Sequence, residues 1–460
     1  MEGFSSGRIQ WIILMIKVFF ESLGCAKNLV DSEYMLGLIK EEGHQLTDDP
    51  LYADIAVVNT CAFIRPAVEE SIDAILELVT VKEKGRLKYL LVAGCFVQRY
   101  GYKLLREIPE VDCWLGPGQI FRIGEILRTK KIELPCVFID RPLFLADHNA
   151  PRVQTTPFYS SYLKIAEGCS HHCSFCIIPS LRGPYRSRTL DSLHAEAKTM
   201  VEGGVKEVNL IAQDTTWYGH DLNPPCGLED LLEKLITIYG LKWLRILYAY
   251  PYLLTERVID LIDSEEVICP YIDVPIQHID PDILKAMGRP LGSESMPQLI
   301  ERIRSTSRNI ALRTTIMVGF PGESEEKFQD LCNFIRGTRF DRLGVFTFSP
   351  EKGSRAFRLK NRVSLKTAEK RAHEIMQIQA DISRTNNKML IGKTMDVLIE
   401  GMHPETDLLL SGRTATMAPD VDGQVLINEG YAIEGEIVPV KITEAHEHDL
   451  VGEIKKKGSV

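Results

Sequence analysis

The chain has 460 residues, of which 45% are hydrophobic and 25% are charged, and its net charge is −9. At roughly 100–200 residues per domain, these values describe an ordinary globular chain of about two to four domains and exclude a disordered, collagen-like or coiled-coil chain. The acidic balance argues against binding to nucleic acid through a general basic surface, although it leaves room for a local basic groove.

The eleven cysteines are too widely spread for a disulfide scaffold, and their number is odd. The apolar run at residues 9–20 is too short to span a bilayer and lacks the small-residue cleavage site of a signal peptide. We therefore expect a cytoplasmic protein without a membrane segment, in which cysteines bind metal or do chemistry. Met15 could be the true start, with the first fourteen residues an upstream tail.

Residues 15–134 alternate apolar runs with helical patterns, which is typical of a parallel sheet covered by helices. The predicted elements are strand 17–23, helix 31–42 with Asp31 as its cap, strand 55–59, helix 66–79, strand 89–93, strand 111–115 and helix 120–127. This N-terminal domain is followed by a proline-rich linker at residues 135–154.

A second α/β series fills residues 155–388, with predicted strands at 162–166, 205–211, 243–249, 271–274, 312–318 and 344–348. Helices are predicted between them, for example at 192–202, 228–239 and 325–336, and a long polar helix at 366–388 leaves the domain. Six such β/α units suit a partial (β/α)6 barrel with its active site at the carboxyl ends of the strands.

Residues 389–460 change to short alternating runs at 394–399, 407–413, 423–427, 436–442 and 449–454. Five short strands separated by Gly and Asp turns predict a small closed five-stranded β-barrel of the oligonucleotide-binding type. The fold class is therefore a multidomain α/β chain that ends in a β-barrel.

Cys169, Cys173 and Cys176 lie in a loop after the first strand of the second series, at spacings of four and three. Three close thiolates in a cytosolic loop indicate a metal site, and two metals compete for it. Zinc would need a fourth ligand, which His171 or His172 could supply, whereas a four-iron cluster would keep one iron open for substrate. The residues alone leave both metals open.

Cys25, Cys61 and Cys95 are far apart in sequence, but each follows a predicted strand of the N-terminal domain. The carboxyl ends of parallel strands lie on one edge of a sheet, so the three thiols can converge there. Each cysteine taken singly is more often a buried small hydrophobic residue. Together they predict a second three-thiolate site, and the remaining five cysteines are read as structural, without partner spacing: Cys113, Cys136, Cys226, Cys269 and Cys332.

The spacing of Cys169, Cys173 and Cys176, with an aromatic residue before the last cysteine, resembles the radical S-adenosylmethionine (SAM) signature. The segments SLGCAKNLVDSE, NTCAFIRPAVEESI, AEGCSHHCSFCIIPSLRGPYRSR, NLIAQDTTWYG and MVGFPGESEE resemble the methylthiotransferase family of radical SAM enzymes. The resemblance runs from about Lys17 to the C-terminus, and the closing barrel is similar to a TRAM domain.

The resemblance implies two 4Fe-4S clusters and S-adenosyl-L-methionine as cofactors. Cys169, Cys173 and Cys176 would bind the radical-generating cluster, and Cys25, Cys61 and Cys95 an auxiliary cluster through which sulfur reaches the substrate. Because the radical-generating cluster keeps one iron open, the resemblance also implies that His171 and His172 are solvated and are not ligands. Gln213 is a candidate for binding the cofactor. Arg182, Gln277, His278 and Arg313 also lie near strand ends and could grip adenosine or substrate. An electron donor such as flavodoxin or ferredoxin would supply the electron.

Two branches of the family differ in substrate, and the segments LYAYPY and DVPIQH resemble the RimO-type branch more closely. That branch modifies the β-carbon of an aspartate in the small-subunit ribosomal protein numbered twelve. The other modifies an isopentenyl-adenosine of tRNA, and it stays open as an alternative. A zinc-stabilised RNA-binding module without catalysis is the second alternative.

The C-terminal region from Asn386 contains seven Lys or Arg against thirteen Asp or Glu, a net charge of −6. Such an acidic barrel would repel RNA and attract a basic ribosomal protein, although most acidic surfaces are merely solvated. We therefore expect Asp420 and Asp422 to help dock the substrate.

Overall fold

The computed structural model describes residues 15–128, 135–289 and 295–455. The interpretations of the first fourteen residues and of the last two lysines of the C-terminal tail lie outside these ranges. The chain divides into two compact units. The first contains the chain up to Ala62 with Pro66–Pro142 and Ala150–Val153, and the second contains Phe63–Arg65, Leu143–Asn149 and the chain from Gln154 onward.

The first unit is built on a sheet of six parallel strands in the order β2-β1-β3-β4-β5-β6. Strands β3 and β4 are apolar runs buried almost throughout, as expected for strands covered by helices on both faces. The elements are β1 Lys17–Ser22, α1 Ala26–Glu41, β2 Gln45–Thr47, β3 Ile55–Thr60, α2 Arg65–Lys84, β4 Tyr89–Gly94, α3 Cys95–Tyr100, α4 Leu104–Glu107, β5 Cys113–Leu115, α5 Ile123–Arg128 and β6 Cys136–Phe138.

Two predictions for this unit were wrong. Helix α1 begins at Ala26 instead of Asp31, with Cys25 as its N-cap. Its first turns carry buried polar residues, which hide the apolar period that marks a helix. Strand β6 lies in the predicted linker and pairs with β5, placing Cys136 opposite Cys113. These two cysteines form a disulfide with a Cα–Cα distance of 4.7 Å, although the sequence spacing had shown no pairing.

The second unit begins with six parallel strands in the order β7-β10-β11-β12-β13-β14, so that β7 and β14 form the two edges of an open barrel. All six predicted strands are confirmed. The elements are β7 Ser160–Lys164, β8 Ala166–Glu167, α6 Ile178–Arg182, β9 Arg186–Ser187, α7 Leu190–Glu202, β10 Glu207–Ile211, α8 Leu228–Leu235, β11 Trp243–Ile246, α9 Glu256–Ser264, β12 Ile268–Asp273, α10 Pro281–Ala286, α11 Met296–Arg304, β13 Ala311–Val318, α12 Glu325–Thr338, β14 Arg342–Thr347 and α13 Leu365–Lys388.

The two faces of this sheet differ in chemistry. The apolar side chains of its strands pack with the helices in the main core, to which Leu163, Leu210, Ile246 and Leu312 belong. Side chains alternate along a strand, so their neighbours lie on the concave face. That face is polar; its residues are Tyr162, Lys164, Asn209, Arg245, Tyr271, Asp273 and Arg313.

The C-terminal part of the second unit is a closed barrel in the order β15-β16-β17-β19-β18, which confirms the five predicted strands. Its strands are β15 Thr394–Met402, β16 Leu410–Thr414, β17 Val425–Glu429, β18 Ile437–Ala445 and β19 Leu450–Ile454. Its core is formed by small and branched apolar side chains, including Val397, Val425, Val440 and Leu450.

A buried ion network joins this closed barrel to the open one. Glu207 in β10 accepts from Arg245 in β11 at 2.9 Å and from Arg413 in β16 at 2.8 Å, and all three side chains are almost fully buried. Burial alone would raise the pKa of Glu207, but the two arginines outweigh it and hold the pKa well below its usual range. The closed barrel is therefore anchored through a charged site that depends on both barrels.

Asp420 and Asp422, for which a docking role was expected, both contact the open barrel, although Asp420 is also exposed. The Asp422 side chain is only 1% exposed and lies 3.7 Å from Arg313, which also pairs with Asp273 at 2.9 Å. Asp420 accepts a hydrogen bond from the Tyr162 hydroxyl at 2.9 Å. Both acids thus attach the β16–β17 loop to the open barrel, and sequence could not show this because their partners are about 110 to 260 residues away.

No helix in the three described ranges has the length and apolar character that a membrane span requires.

Candidate metal centres

The loop that carries Cys169, Cys173 and Cys176 runs from β8 to α6. Gly168 has a φ of +77°, and a Cβ there would lie 2.1 Å from the carbonyl oxygen of Pro184, so only glycine fits. The Cys169 amide donates to the carbonyl of Gly183 at 3.1 Å, and the Tyr185 amide to the Ser170 hydroxyl at 3.1 Å. The start of the loop is therefore fixed against the chain that follows α6.

The three thiols of this loop lie close enough to influence one another. Burial raises the pKa of Cys176 to about 12, with further increases from Cys173 and Cys169, while Arg289 opposes the shift. Burial likewise raises the pKa of Cys169 to about 11. A metal that binds thiolates would reverse this preference and release protons on binding.

Within the described ranges, no three Cys, His, Asp or Glu side chains are gathered as ligands of a single metal ion. Three cysteine thiols are the donor set that iron–sulfur clusters take, and the nearby cation of Arg289 favours the thiolate forms of Cys169 and Cys176. The residues present therefore fit such a cluster.

His171 is not the solvated loop residue that we expected. Its Nε2 lies 2.5 Å from Oδ2 of Asp214, and its ring stacks on Tyr250 at 4.2 Å with an interplanar angle of 13°. The guanidinium of Arg289 lies 4.6 Å from the centre of the Tyr250 ring. His172 is exposed. The expectation of a solvated side chain therefore holds for His172 and is wrong for His171.

A charged triad borders the same loop. Glu167 pairs with Lys164 at 2.8 Å and with Arg182 at 3.2 Å, and its other contact is the amide of Gly168 at 3.1 Å. Burial alone would raise the pKa of Glu167, but the two cations hold it well below its usual range. Glu167 therefore holds Lys164 and Arg182 together beside the cysteine loop.

Cys25, Cys61 and Cys95 follow β1, β3 and β4, which are direct neighbours in the first sheet. A Cβ at Gly24 would lie 2.6 Å from Cβ and 3.1 Å from Sγ of Cys61. Gly94 has a φ of +100°, and a Cβ there would lie 2.4 Å from the carbonyl oxygen of Thr60. Two glycines thus let the three cysteine-bearing turns approach one another.

A polar network beneath these turns was missed from the sequence. The side-chain amide of Asn28 donates to the carbonyl of Leu23 at 2.6 Å, and that of Asn59 donates to Asn28 O and to Ser32 Oγ, both at 2.9 Å. Ser71 in α2 donates to the carbonyl of Cys61 at 2.8 Å. Asn28 and Ser32 are both buried and are spaced four apart, so they lie on one side of α1.

The other residues predicted to bind the cofactor or the substrate lie at separate places in the second unit. Gln213 is half-buried two residues beyond β10, beside Asp214, and thus lies at the carboxyl edge of the open barrel. Arg182 and Arg313 are engaged in the ion pairs described above. Burial lowers the pKa of His278 to about 4, so this residue is neutral, and Gln277 adopts a left-handed φ of 68°. Arg289 and Asp214 border the thiols but were not predicted.

Three family patterns match the chain. That of an uncharacterised protein family, UPF0004, matches residues 17–116, which include Cys25, Cys61 and Cys95. The radical SAM superfamily matches residues 163–335, which include Cys169, Cys173 and Cys176, and the TRAM domain matches residues 391–454. Each pattern falls on one sheet or barrel of the structure.

Characterised relatives match almost the entire chain. The ribosomal protein uS12 methylthiotransferase RimO of Citrifermentans bemidjiense is 48% identical over 439 residues, covering 95% of this chain and 98% of the relative. RimO proteins of Pelobacter propionicus and Geobacter sulfurreducens are each 47% identical, covering 96% and 95% of this chain and 98% of each relative. The chain belongs to the RimO family. It is therefore a radical SAM methylthiotransferase.

Among solved structures, the radical SAM methyltransferase TsrM of Kitasatospora setae, with cobalamin and a 4Fe-4S cluster bound, superposes with a TM-score of 0.53 at 15% identity. The match covers 75% of this chain and 77% of TsrM. At this identity it supports the fold alone. Because the chain belongs to a family of enzymes, the alternative of a zinc-stabilised RNA-binding module without catalysis is excluded.

Proposed function

We propose that this enzyme adds a methylthio group to the β-carbon of an aspartate in ribosomal protein uS12. The curated relatives carry that protein as substrate in their names and match nearly the full chain. The structural observation that supports the proposal is the pair of cysteine triads, each at the carboxyl edge of a parallel sheet. A methylthio transfer needs both hydrogen removal and sulfur delivery, and two triads provide a site for each.

The proposed radical site consists of Cys169, Cys173 and Cys176. With three protein ligands, a four-iron cluster keeps one iron for S-adenosylmethionine, whose reductive cleavage supplies a radical that can remove hydrogen from an unactivated carbon. The protein fixes the loop through Gly168 and surrounds it with Arg289, Tyr250 and the His171–Asp214 pair. Gln213 is the proposed cofactor-binding residue, since it lies two residues beyond β10, the strand that pairs with β7.

The proposed auxiliary site consists of Cys25, Cys61 and Cys95. Cys25 caps the N-terminus of α1, a 16-residue helix whose positive end favours an anionic cluster. The amide network of Asn28 and Asn59 and the Ser71 contact hold the cysteine-bearing turns in place. We propose that sulfur reaches the substrate through this second cluster and that a flavodoxin or ferredoxin supplies electrons.

Metal content tests the two-site proposal directly. Anaerobically purified protein should be brown and contain about eight irons, four for each cubane, and it should release 5′-deoxyadenosine from S-adenosylmethionine when reduced. Colourless protein with stoichiometric zinc, or about four irons in a fully reconstituted sample, would contradict it.

A further inference from the structure

An exposed basic segment occurs at residues 352–366 of this acidic protein. No acidic residue lies between Glu351 and Glu369, although the whole chain carries a net charge of −9. The segment contains six basic residues, all exposed: Lys352, Arg355, Arg358, Lys360, Arg362 and Lys366.

This basic segment contacts the loop of the proposed radical site directly. The Arg355 guanidinium donates to the carbonyl of His172, which precedes Cys173. The Ala356 amide donates to the carbonyl of Ser174 at 2.7 Å. Phe175 packs on the small core to which Ala356 belongs, with Leu359 against the same core. The basic segment is thus the outer layer over the cysteine loop.

The positive charge of the segment is not neutralised locally. Across residues 15–128, 135–289 and 295–455, none of its six cations forms an ion pair with a carboxylate, and the preceding Glu351 is buried and accepts from the Arg65 amide and the Ser349 hydroxyl. A surplus of exposed charge of one sign steers a partner of opposite sign and raises its association rate.

We infer that the basic segment is the docking surface for an acidic one-electron carrier protein. The inference rests on the proposed radical site, because the carrier's function is to reduce that cluster. One electron passes from the reduced flavin or iron–sulfur group of the carrier to the oxidised cluster, and the carrier is oxidised by one electron. Electron transfer requires close approach, and the segment is hydrogen-bonded to residues on both sides of Cys173.

Phosphate groups of RNA are the other polyanion that such a surface could attract. Binding to RNA would not require contact with the cysteine loop, whereas reduction of the cluster does. The position of the segment therefore favours the carrier, and RNA binding becomes an outcome of the test.

Arg358 and Lys360 are the residues to change. Arg355 holds the cysteine loop, and Arg362 donates to the carbonyl of Phe357 and lies over its ring, so both have structural contacts. Arg358→Glu with Lys360→Glu changes the charge of the segment by −4 without removing those contacts. Lys388→Glu with Lys393→Glu is the matched control, because it makes the same charge change at exposed sites near the closed barrel.

The holoenzyme should be mixed in a stopped-flow instrument with reduced flavodoxin or, separately, with dithionite. The decrease in the visible absorbance of its iron–sulfur clusters measures the rate of reduction. At low salt we expect about a tenfold slower reduction by flavodoxin in the Arg358/Lys360 variant, an unchanged rate with dithionite, and a rate within about twofold of wild type in the control. High salt should bring the variant and wild type together.

An unchanged flavodoxin rate in the Arg358/Lys360 variant would overturn the inference. If the variant also modified free uS12 normally but modified uS12 within the ribosomal subunit more weakly than wild type, the segment would be assigned to RNA binding. Failure of dithionite-reduced wild-type enzyme to cleave S-adenosylmethionine would instead refute the proposed function, so the two failures are distinguishable.

Discussion

The two cysteine triads are brought together along the chain in opposite ways. Cys169, Cys173 and Cys176 lie within eight consecutive residues of one loop, whereas Cys25, Cys61 and Cys95 come from three strand ends and are gathered by the sheet. The first site depends on local chain geometry and the second on correct folding of an entire unit. The contrast predicts that local changes damage the first site alone, while backbone changes in the sheet damage the second.

The largest expected effect follows from removing a ligand of the local site. Cys173→Ala should abolish cleavage of S-adenosylmethionine, because two thiolates cannot hold a cubane with an open iron. The variant should keep about half of the iron, since the other triad lies in a separate compact unit. Iron assay and 5′-deoxyadenosine release are the measurements. Cys332→Ala, at a buried cysteine outside both triads, should retain both properties.

Removing a ligand of the dispersed site should separate the two halves of the reaction. Cys61→Ala should also keep about half of the iron and should still cleave S-adenosylmethionine, but it should yield no methylthio product. The 5′-deoxyadenosine assay measures cleavage of S-adenosylmethionine, and mass spectrometry of the substrate measures formation of the methylthio product. Formation of product by this variant would make the three strand-end cysteines structural.

The second unit should be sensitive to loss of its buried network. Glu207→Gln removes the carboxylate between Arg245 and Arg413 and should lower the free energy of unfolding by about 3–5 kcal/mol, because the buried Arg245 loses the carboxylate it pairs with, while Arg413 keeps Glu400. Glu202→Gln, in an exposed pair with Lys198, should cost about 0–1 kcal/mol. Denaturant unfolding of the two variants measures the difference.

The same carboxylate predicts a pH dependence. Its pKa in the folded state lies below the ordinary value of 4.5, so the stabilisation is complete above that value and is lost as pH falls towards the folded pKa. Wild-type stability should therefore decrease with acidification below about pH 4.5, and the slope should be smaller in Glu207→Gln. Equal slopes would show that another group controls acid unfolding.

A smaller effect is expected from the backbone at the dispersed site. Gly94→Ala places a Cβ at a positive φ and 2.4 Å from a carbonyl oxygen, which should cost about 1–3 kcal/mol and reduce iron bound by the first unit. Gly85→Ala is the matched control, since it is exposed and its added Cβ meets nothing within 4 Å. Equal iron content in these two variants would contradict the role given to the Gly94 turn.

The smallest effect concerns electrostatic docking of the substrate. Because Asp420 and Asp422 are attached to the open barrel, the exposed acids Glu405 and Asp407 are the better test. Glu405→Lys with Asp407→Lys should slow association with a basic substrate protein by a few-fold at low salt and leave chemistry on bound substrate unchanged. Surface plasmon resonance at two salt concentrations measures it, and an effect that persists at high salt would not be electrostatic docking.

Local patterns predicted most of the longer strands and both barrels, and they placed the six cysteines after strands, since each feature depends on apolar periodicity or on a strand end. Contacts between distant residues were not predictable from one sequence. In the sequence, Asp422 has the character of a surface acid, but in the structure it lies beside Arg313. No sequence pattern connects Arg289 with the cysteine thiols, which lie more than 110 residues earlier. The start of α1 was missed because its buried polar residues serve the turns around Cys25 and Cys61, a tertiary role that overrides the apolar period.

The most direct test of the account is turnover by reconstituted enzyme supplied with S-adenosylmethionine, a sulfur source and a reductant, offered uS12 and isopentenyl-adenosine tRNA in parallel. Peptide mass spectrometry should locate one methylthio group on the β-carbon of a single uS12 aspartate, and the tRNA should be unchanged. Methylthiolated tRNA with no mass gain on uS12 would contradict the central claim.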